Sequence, residues 1–92
     1  MDSKGVDRFE RRSDLIAAQI DDELVMMDPA RGLYYALEGV APMIWELLQS
    51  PRSVDELVTE VSRACDVPEK ACRDDILAFI AELERLGLIK LA

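Results

Sequence analysis

Two periodicities divide this chain. Between residues 15 and 37 the apolar positions come in short runs, LIAAQI (15–20), ELVMMD (23–28) and LYYAL (33–37), each bounded by turn-forming residues. Asp21 and Asp22 suit a tight turn between the first two runs. In DPARG, Pro29 presets the first corner and Gly32 supplies positive φ ahead of the third run. Short apolar runs separated in this way predict three strands in meander order.

Beyond Gly39 the spacing becomes helical. Val40, Met43, Ile44, Leu47 and Leu48 share one face of a first helix, in which Pro42 is tolerated if it lies in the first turn. SPRS ends that helix, and SVDE opens the next with a capping box: Ser53 is the N-cap and Glu56 reaches back to it. Val54, Leu57, Val58, Val61 and Cys65 then form its inward stripe. A third helix starts near Pro68 and turns Cys72, Ile76, Phe79, Ile80, Leu83 and Leu86 inward before Gly87 closes it, with Leu88 and Ile89 folding back over its end. The sum is an α+β domain, a three-stranded antiparallel sheet followed by a three-helix bundle, winged-helix-like in outline. Residues 1–14 alternate in charge with little apolar content and read as a mobile N-terminal arm; residues 15–92 read as a single domain.

Composition narrows the chemistry. Half of the 92 residues are apolar and a third are charged, which is globular composition with enough length for one modest core. No apolar run approaches a membrane span, and MDSKGVDRFERRSD is too charged for a secretory signal, so the expected location is cytoplasmic, away from any membrane. With 19 acidic and 11 basic side chains the formal charge is −8, which repels a nucleic-acid backbone. Cys65 and Cys72 are the only cysteines and there is no histidine, so no common zinc site can be completed; in a reducing compartment the two read as small core or near-surface residues. No glycine-rich phosphate loop or nucleophile elbow occurs. Asp74 and Asp75 are adjacent on a helix and point about 100° apart, which is wrong for a catalytic pair. The expectation is a protein without catalytic residues, cofactor or metal.

The positive feature is the last strand of the meander. Leu33, Tyr34, Tyr35, Ala36 and Leu37 can pair with the preceding strand on one side only, and no proline or lysine discourages a visitor at the other edge. That edge is either open to an added peptide strand or covered by the N-terminal arm or the third helix. Tyr34 and Tyr35 face opposite sides of the strand, one toward the core and the other toward solvent. Trp45 belongs to the core or its margin.

The order of these pieces resembles the PqqD family of small peptide-binding proteins, also called RiPP recognition elements. The matching segments are VMMD, G-x-Y-Y-x-L, IWELL, SVDELV and D-I-x-x-F-I-x-x-L-x-x-x-G-L-I, which together span about residues 15 to 90. The chain departs from many relatives in having Glu38 and Gly39 where they carry asparagine after the strand's leucine. The resemblance implies a chaperone-like protein that binds the leader segment of a ribosomally made precursor peptide beside the third strand and the third helix. It implies partnership with a modifying enzyme, such as the leader peptidase and cyclase of lasso-peptide assembly or a radical-SAM protein, and the stand-alone lasso-type proteins look most similar. Carried over by position, the cleft would be walled by Leu33, Tyr34, Tyr35, Ala36 and Leu37 on one side and by Asp75, Ile76, Ala78, Phe79 and Glu82 on the other. Phe79, between the core stripe and the acidic stripe, would be its aromatic floor.

Two other readings compete. Three helices followed by LIKLA could imitate a winged-helix DNA-binding or regulatory protein, but the second helix offers only Arg63, and the third sets Lys70, Arg73 and Arg85 among Glu69, Asp74, Asp75, Glu82 and Glu84. Alternatively, two copies could pair their exposed strand edges across a two-fold axis as a homodimer.

Overall fold

The computed structural model describes residues 7–92. Along the chain run β1 (Arg8–Arg11), β2 (Ile16–Ile20), β3 (Glu23–Asp28), β4 (Leu33–Leu37), α1 (Ala41–Leu47), β5 (Arg52–Ser53), α2 (Val54–Cys65), α3 (Glu69–Arg85) and β6 (Ile89–Leu91). The expected α+β arrangement is present: an antiparallel meander β2-β3-β4 accompanied by three helices. Met26 of β3 lies opposite Ala17 of β2 and Tyr35 of β4, which sets the register of the whole sheet. Because side chains alternate along a strand, one face presents Leu24, Met26, Asp28, Tyr35 and Leu37 to the core. The other presents Ile16, Ala18, Ile20, Val25, Met27, Tyr34 and Ala36 outward.

The helices follow their apolar stripes. Leu57, Val58 and Val61 of α2 and Cys72, Ile76, Ile80 and Leu83 of α3 are buried, with Ile44, Trp45 and Leu48 supplied by α1 and its C-cap. The capping box is closed in both directions: Glu56 N–H donates to Ser53 Oγ at 3.2 Å, and Ser53 N–H donates to Glu56 Oε1 at 2.9 Å. At α1 the N-cap is Val40, which has no side-chain oxygen to offer; Gly39 instead turns the chain at φ +67, and Ala41 N–H donates to the Glu38 carbonyl at 3.2 Å. Trp45 is buried, with the Arg11 guanidinium 5.6 Å from its ring centre in a cation–π contact. Among the described residues no helix is long and apolar enough to cross a membrane.

Arg8–Arg11 correct the reading of residues 1–14 as a loose arm. They form β1, which lies between β5 and β6 in a second small antiparallel sheet. One apolar residue carries the docking: Phe9 is buried in the common core. Polar contacts complete it, with Arg8 Nη1 donating to Glu56 Oε1 at 2.7 Å and Arg11 N–H donating to the Leu48 carbonyl at 2.9 Å. A charged segment with a single aromatic carries too weak a pattern to reveal this pairing in advance. Residues 1–6 lie outside the described residues.

A buried carboxylate joins the meander to the end of α3. Asp28 is fully buried, and its Oδ2 accepts a hydrogen bond from Arg12 Nη1 at 3.0 Å and lies 3.6 Å from Arg31 Nε. Its Oδ1 accepts from Ala30 N–H at 3.2 Å, which holds the β3–β4 turn. The two arginines continue across to the helix: Arg12 Nη1 donates to the Gly87 carbonyl at 3.2 Å and Arg31 Nη1 to the Leu86 carbonyl at 2.7 Å. Gly87 has φ +74, a backbone conformation that requires glycine; a Cβ there would stand 2.9 Å from Arg31 Nη2, the end of a flexible side chain that can shift aside.

Candidate peptide-binding site

Strand β4 is an edge of the meander. Its Leu33, Tyr34, Tyr35, Ala36 and Leu37 pair with Asp28, Met27, Met26, Val25 and Leu24 of β3, and among the described residues no strand pairs with its far side. Arg8–Arg11, from the N-terminal segment that could have covered this edge, pair instead with β5 and β6. Tyr34 is 71% exposed on the outer face, whereas Tyr35 is half-buried against the core. The Tyr35 hydroxyl is buried without a hydrogen-bond partner among the described residues. The register therefore separates the tyrosines, which the sequence alone left interchangeable.

Just past β4 the chain borders an apolar pocket of about 410 Å³. Glu38, Val40, Ala41 and Ile44 form one wall, Val61, Cys65 and Val67 a second, and Ala71, Cys72, Asp75, Ile76 and Phe79 of α3 the third. Its lining mixes the short side chains of Ala41, Cys65, Ala71 and Cys72 with the larger Ile44, Ile76 and Phe79. Phe79 is half-buried and packed against the core, as a residue between two stripes should be. The rim is acidic, with Glu38 and Asp75 at the opening and no ion pair to either among the described residues. Inside, burial pushes the Cys72 thiol pKa up, assisted by Cys65 and by the carboxylates of Asp75 and Glu69, which leaves a thiol of low nucleophilicity.

Of the residues the sequence singled out, Asp75, Ile76 and Phe79 come together in this pocket. Ile76 is also a core residue, 1% exposed. Leu33, Tyr34, Tyr35, Ala36 and Leu37 do not line it; they contribute the neighbouring edge, and Glu38 to Ala41 stand where the strand was expected to form the wall. Ala78 is exposed outside the pocket. Glu82 is exposed too, but its carboxylate is held by Arg85: Arg85 Nε donates to Oε1 at 3.1 Å and Nη2 to Oε2. That hydrogen bonding depresses the Glu82 pKa and offsets its charge, so the acidic rim rests on Asp75 and Glu38. The sequence reading passed over Val40, Ala41, Val67 and Ala71. Val40 at 42% and Val67 at 42% exposure are apolar side chains facing solvent just outside a helix, and their position next to α1 and α3 was the available signal.

An open strand edge beside an apolar pocket with two carboxylates at its mouth can hold an extended peptide by main-chain bonds and one or two anchoring side chains. Among the described residues no group of three or more histidine, cysteine or acidic side chains is assembled to hold a metal ion.

Comparison with known proteins shows the family and the fold. A sequence model of the family described as coenzyme PQQ synthesis protein D (PqqD) matches residues 23–89. The PqqA binding protein of Gluconobacter oxydans (strain 621H) is 29% identical over 81 residues, covering 88% of this chain and 82% of that protein. Among solved structures, TbiB1 in complex with the TbiA(beta) leader peptide superposes with a TM-score of 0.78 at 26% identity, covering 88% of this chain and 94% of that one. Lasso peptide synthetase B1 complexed with the leader peptide shares the fold, with a TM-score of 0.76 at 24% identity and coverage of 89% and 96%.

Proposed function

Because the chain belongs to the PqqD family, we propose that it binds the leader segment of a ribosomally made precursor peptide and presents that peptide to a modifying enzyme. The observation that carries the reading is the edge of β4, unpaired among the described residues, next to the apolar pocket at α3. The leader adds as a strand along Leu33, Tyr34, Tyr35, Ala36 and Leu37, whose free N–H and C=O groups supply the hydrogen bonds. An apolar leader side chain enters the pocket against Ile76 and Phe79. Glu38 and Asp75 favour a lysine or arginine next to that anchor. Ala78, small and exposed, lets the leader approach α3 closely, and Glu82 acts at the rim only through its pair with Arg85. The enzyme served is a leader peptidase of lasso-peptide assembly, or a radical-SAM protein as the alternative partner. A DNA-binding role is not favoured: −8 is the wrong charge for a phosphate backbone.

Calorimetry with synthetic leader segments of the precursor encoded beside this chain's gene tests the reading. Binding tighter than about 100 μM, near −5.5 kcal/mol, is expected with no metal or nucleotide added. Strand addition has a sharper signature: two peptides N-methylated at alternate positions should differ, since only one set of amides points at β4. Equal binding by both would mean that the leader does not add as a strand.

A further inference from the structure

The chain has two cysteines, and both line the pocket at α3. Cys65 is the last residue of α2 and Cys72 stands near the start of α3, so the thiols belong to neighbouring walls of one space. A short link brings the helices together there. Asp66 takes the left-handed conformation at φ +55, and Val67 N–H donates to the Ser62 carbonyl at 3.2 Å, after which α3 packs along α2. Cys65 is half-buried and Cys72 is 5% exposed. Packing alone does not call for sulfur at either position, since Ala41, Val61, Val67 and Ala71 fill comparable places in the same lining. The leader, as read above, makes no use of the thiols.

Two thiols facing one cavity have two ordinary uses, a metal and each other. Among the described residues no third histidine, cysteine or acidic side chain joins them in a group that could hold a metal ion. What remains is thiol–disulfide exchange. A disulfide sets its two Cβ atoms about 4 Å apart. Between Cys65 and Cys72 it would tie the last turn of α2 to the first turns of α3 and lay two sulfur atoms across the space that the leader's anchoring side chain needs. Disulfide and anchor therefore exclude each other, and by linkage each weakens the other by the same factor.

We propose that Cys65 and Cys72 are a redox-sensitive pair whose oxidation to an internal disulfide closes the anchor pocket and releases the leader. This rests on the leader-binding reading and adds a regulation to that same site. The oxidant is a small disulfide, RS–SR. Cys65, the more accessible thiol, attacks it as the thiolate: a Cys65–S–S–R bond forms, the RS–SR bond breaks, and one RSH leaves after taking up a proton. Cys72 then loses its proton and attacks the Cys65 sulfur, which expels the second RSH. Two electrons pass from the two cysteines to RS–SR, and two small thiols are produced. The second attack is the slow one, because burial holds the Cys72 thiol protonated. A small dithiol reverses the sequence.

The test uses the full chain, with oxidised glutathione as the small disulfide. Intact mass under non-reducing conditions should show the wild type losing two hydrogens as a monomer and keeping no glutathione, and peptide mapping should place the bond between Cys65 and Cys72. The Cys72→Ala variant should stop at the mixed disulfide, with one glutathione on Cys65. Calorimetry with synthetic leader segments should find affinity about tenfold or more weaker for the oxidised wild type than for the reduced, recovered after dithiothreitol. Cys65→Ala should bind the leader equally before and after the same treatment, and saturating leader should slow oxidation of the wild type. Two thiols that stay free, a disulfide that joins two copies, or an internal disulfide that leaves leader affinity unchanged overturns the proposal while leaving leader binding intact. Loss of the fold on oxidation, read by circular dichroism on the same samples, overturns it as well. A reduced wild type that binds no leader segment overturns the leader reading, and the switch with it.

Discussion

Replacing Asp28 by asparagine should destabilise the protein by about 2 kcal/mol, a value that follows from its surroundings. The carboxylate is fully buried, with Arg12 at 3.0 Å and Arg31 at 3.6 Å. Breaking a fully buried ion pair costs about 3–5 kcal/mol because the remaining charge is stranded. Here the cations are not stranded. Arg12 keeps Asp14 at 2.6 Å, and Arg31 is 50% exposed and still donates to the Leu86 carbonyl at 2.7 Å. Asparagine Oδ1 can also go on accepting from Ala30 N–H, so the turn keeps its local bond. What is lost is one charge-assisted bond plus a weaker contact, hence the lower figure. Urea unfolding followed by circular dichroism measures it, and with a slope near 1 kcal/mol/M the midpoint should drop by about 2 M. The sharper readout is the leader. Asp28 joins the β3–β4 turn, through Arg12 and Arg31, to the carbonyls that end α3, so loosening it should also weaken leader binding although Asp28 touches no ligand. A change below about 0.5 kcal/mol, within the range of ordinary surface substitutions, would refute the argument that this carboxylate holds sheet and helix together.

Other expectations follow from the same geometry. Phe79→Ala should weaken the leader by about 2 kcal/mol while costing less than the roughly 3–5 kcal/mol of a fully buried phenylalanine; melts and titrations on one sample separate the two, and intact binding by a badly destabilised protein would make Phe79 a core residue only. The Glu56 pKa is lowered by the Ser53 N–H and then by Arg8, so its stabilising contribution is present above the ordinary glutamate pKa and lost as the pH falls through the lower folded-state value. Glu56→Gln should therefore flatten the acid limb of stability against pH, and thermal melts from pH 6 downward check it, an unchanged limb counting against the capping box as its source. With a thiol reagent near pH 8, Cys65 should label faster than the buried Cys72, and a leader that fills the pocket should protect Cys65; labelling at the same rate with and without leader would place the anchor elsewhere.

Much of this protein was legible as pattern. The three runs of the meander, the capping box at Ser53 and the stripes of α2 and α3 are local features, decided by residues a few positions apart, and each appears in the structure where its periodicity puts it. The family could be read for the same reason, since its signature is the order of such local pieces. The pairing of β1 with β5 and β6 could not, because Arg8, Phe9, Arg52 and Leu91 are far apart in the chain and carry no shared pattern. Nor could the site be read in full. The sequence placed Asp75, Ile76 and Phe79 together on one helix, but a pocket is the space left between elements, and the share of Val40, Val61 and Val67 in it depends on how α1, α2 and α3 diverge. Tyr34 and Tyr35 make the distinction in its smallest form. Alternation along a strand dictates that they part company; only the register against Met27 and Met26, set by which face of the sheet meets the core, decides which one is left in solvent.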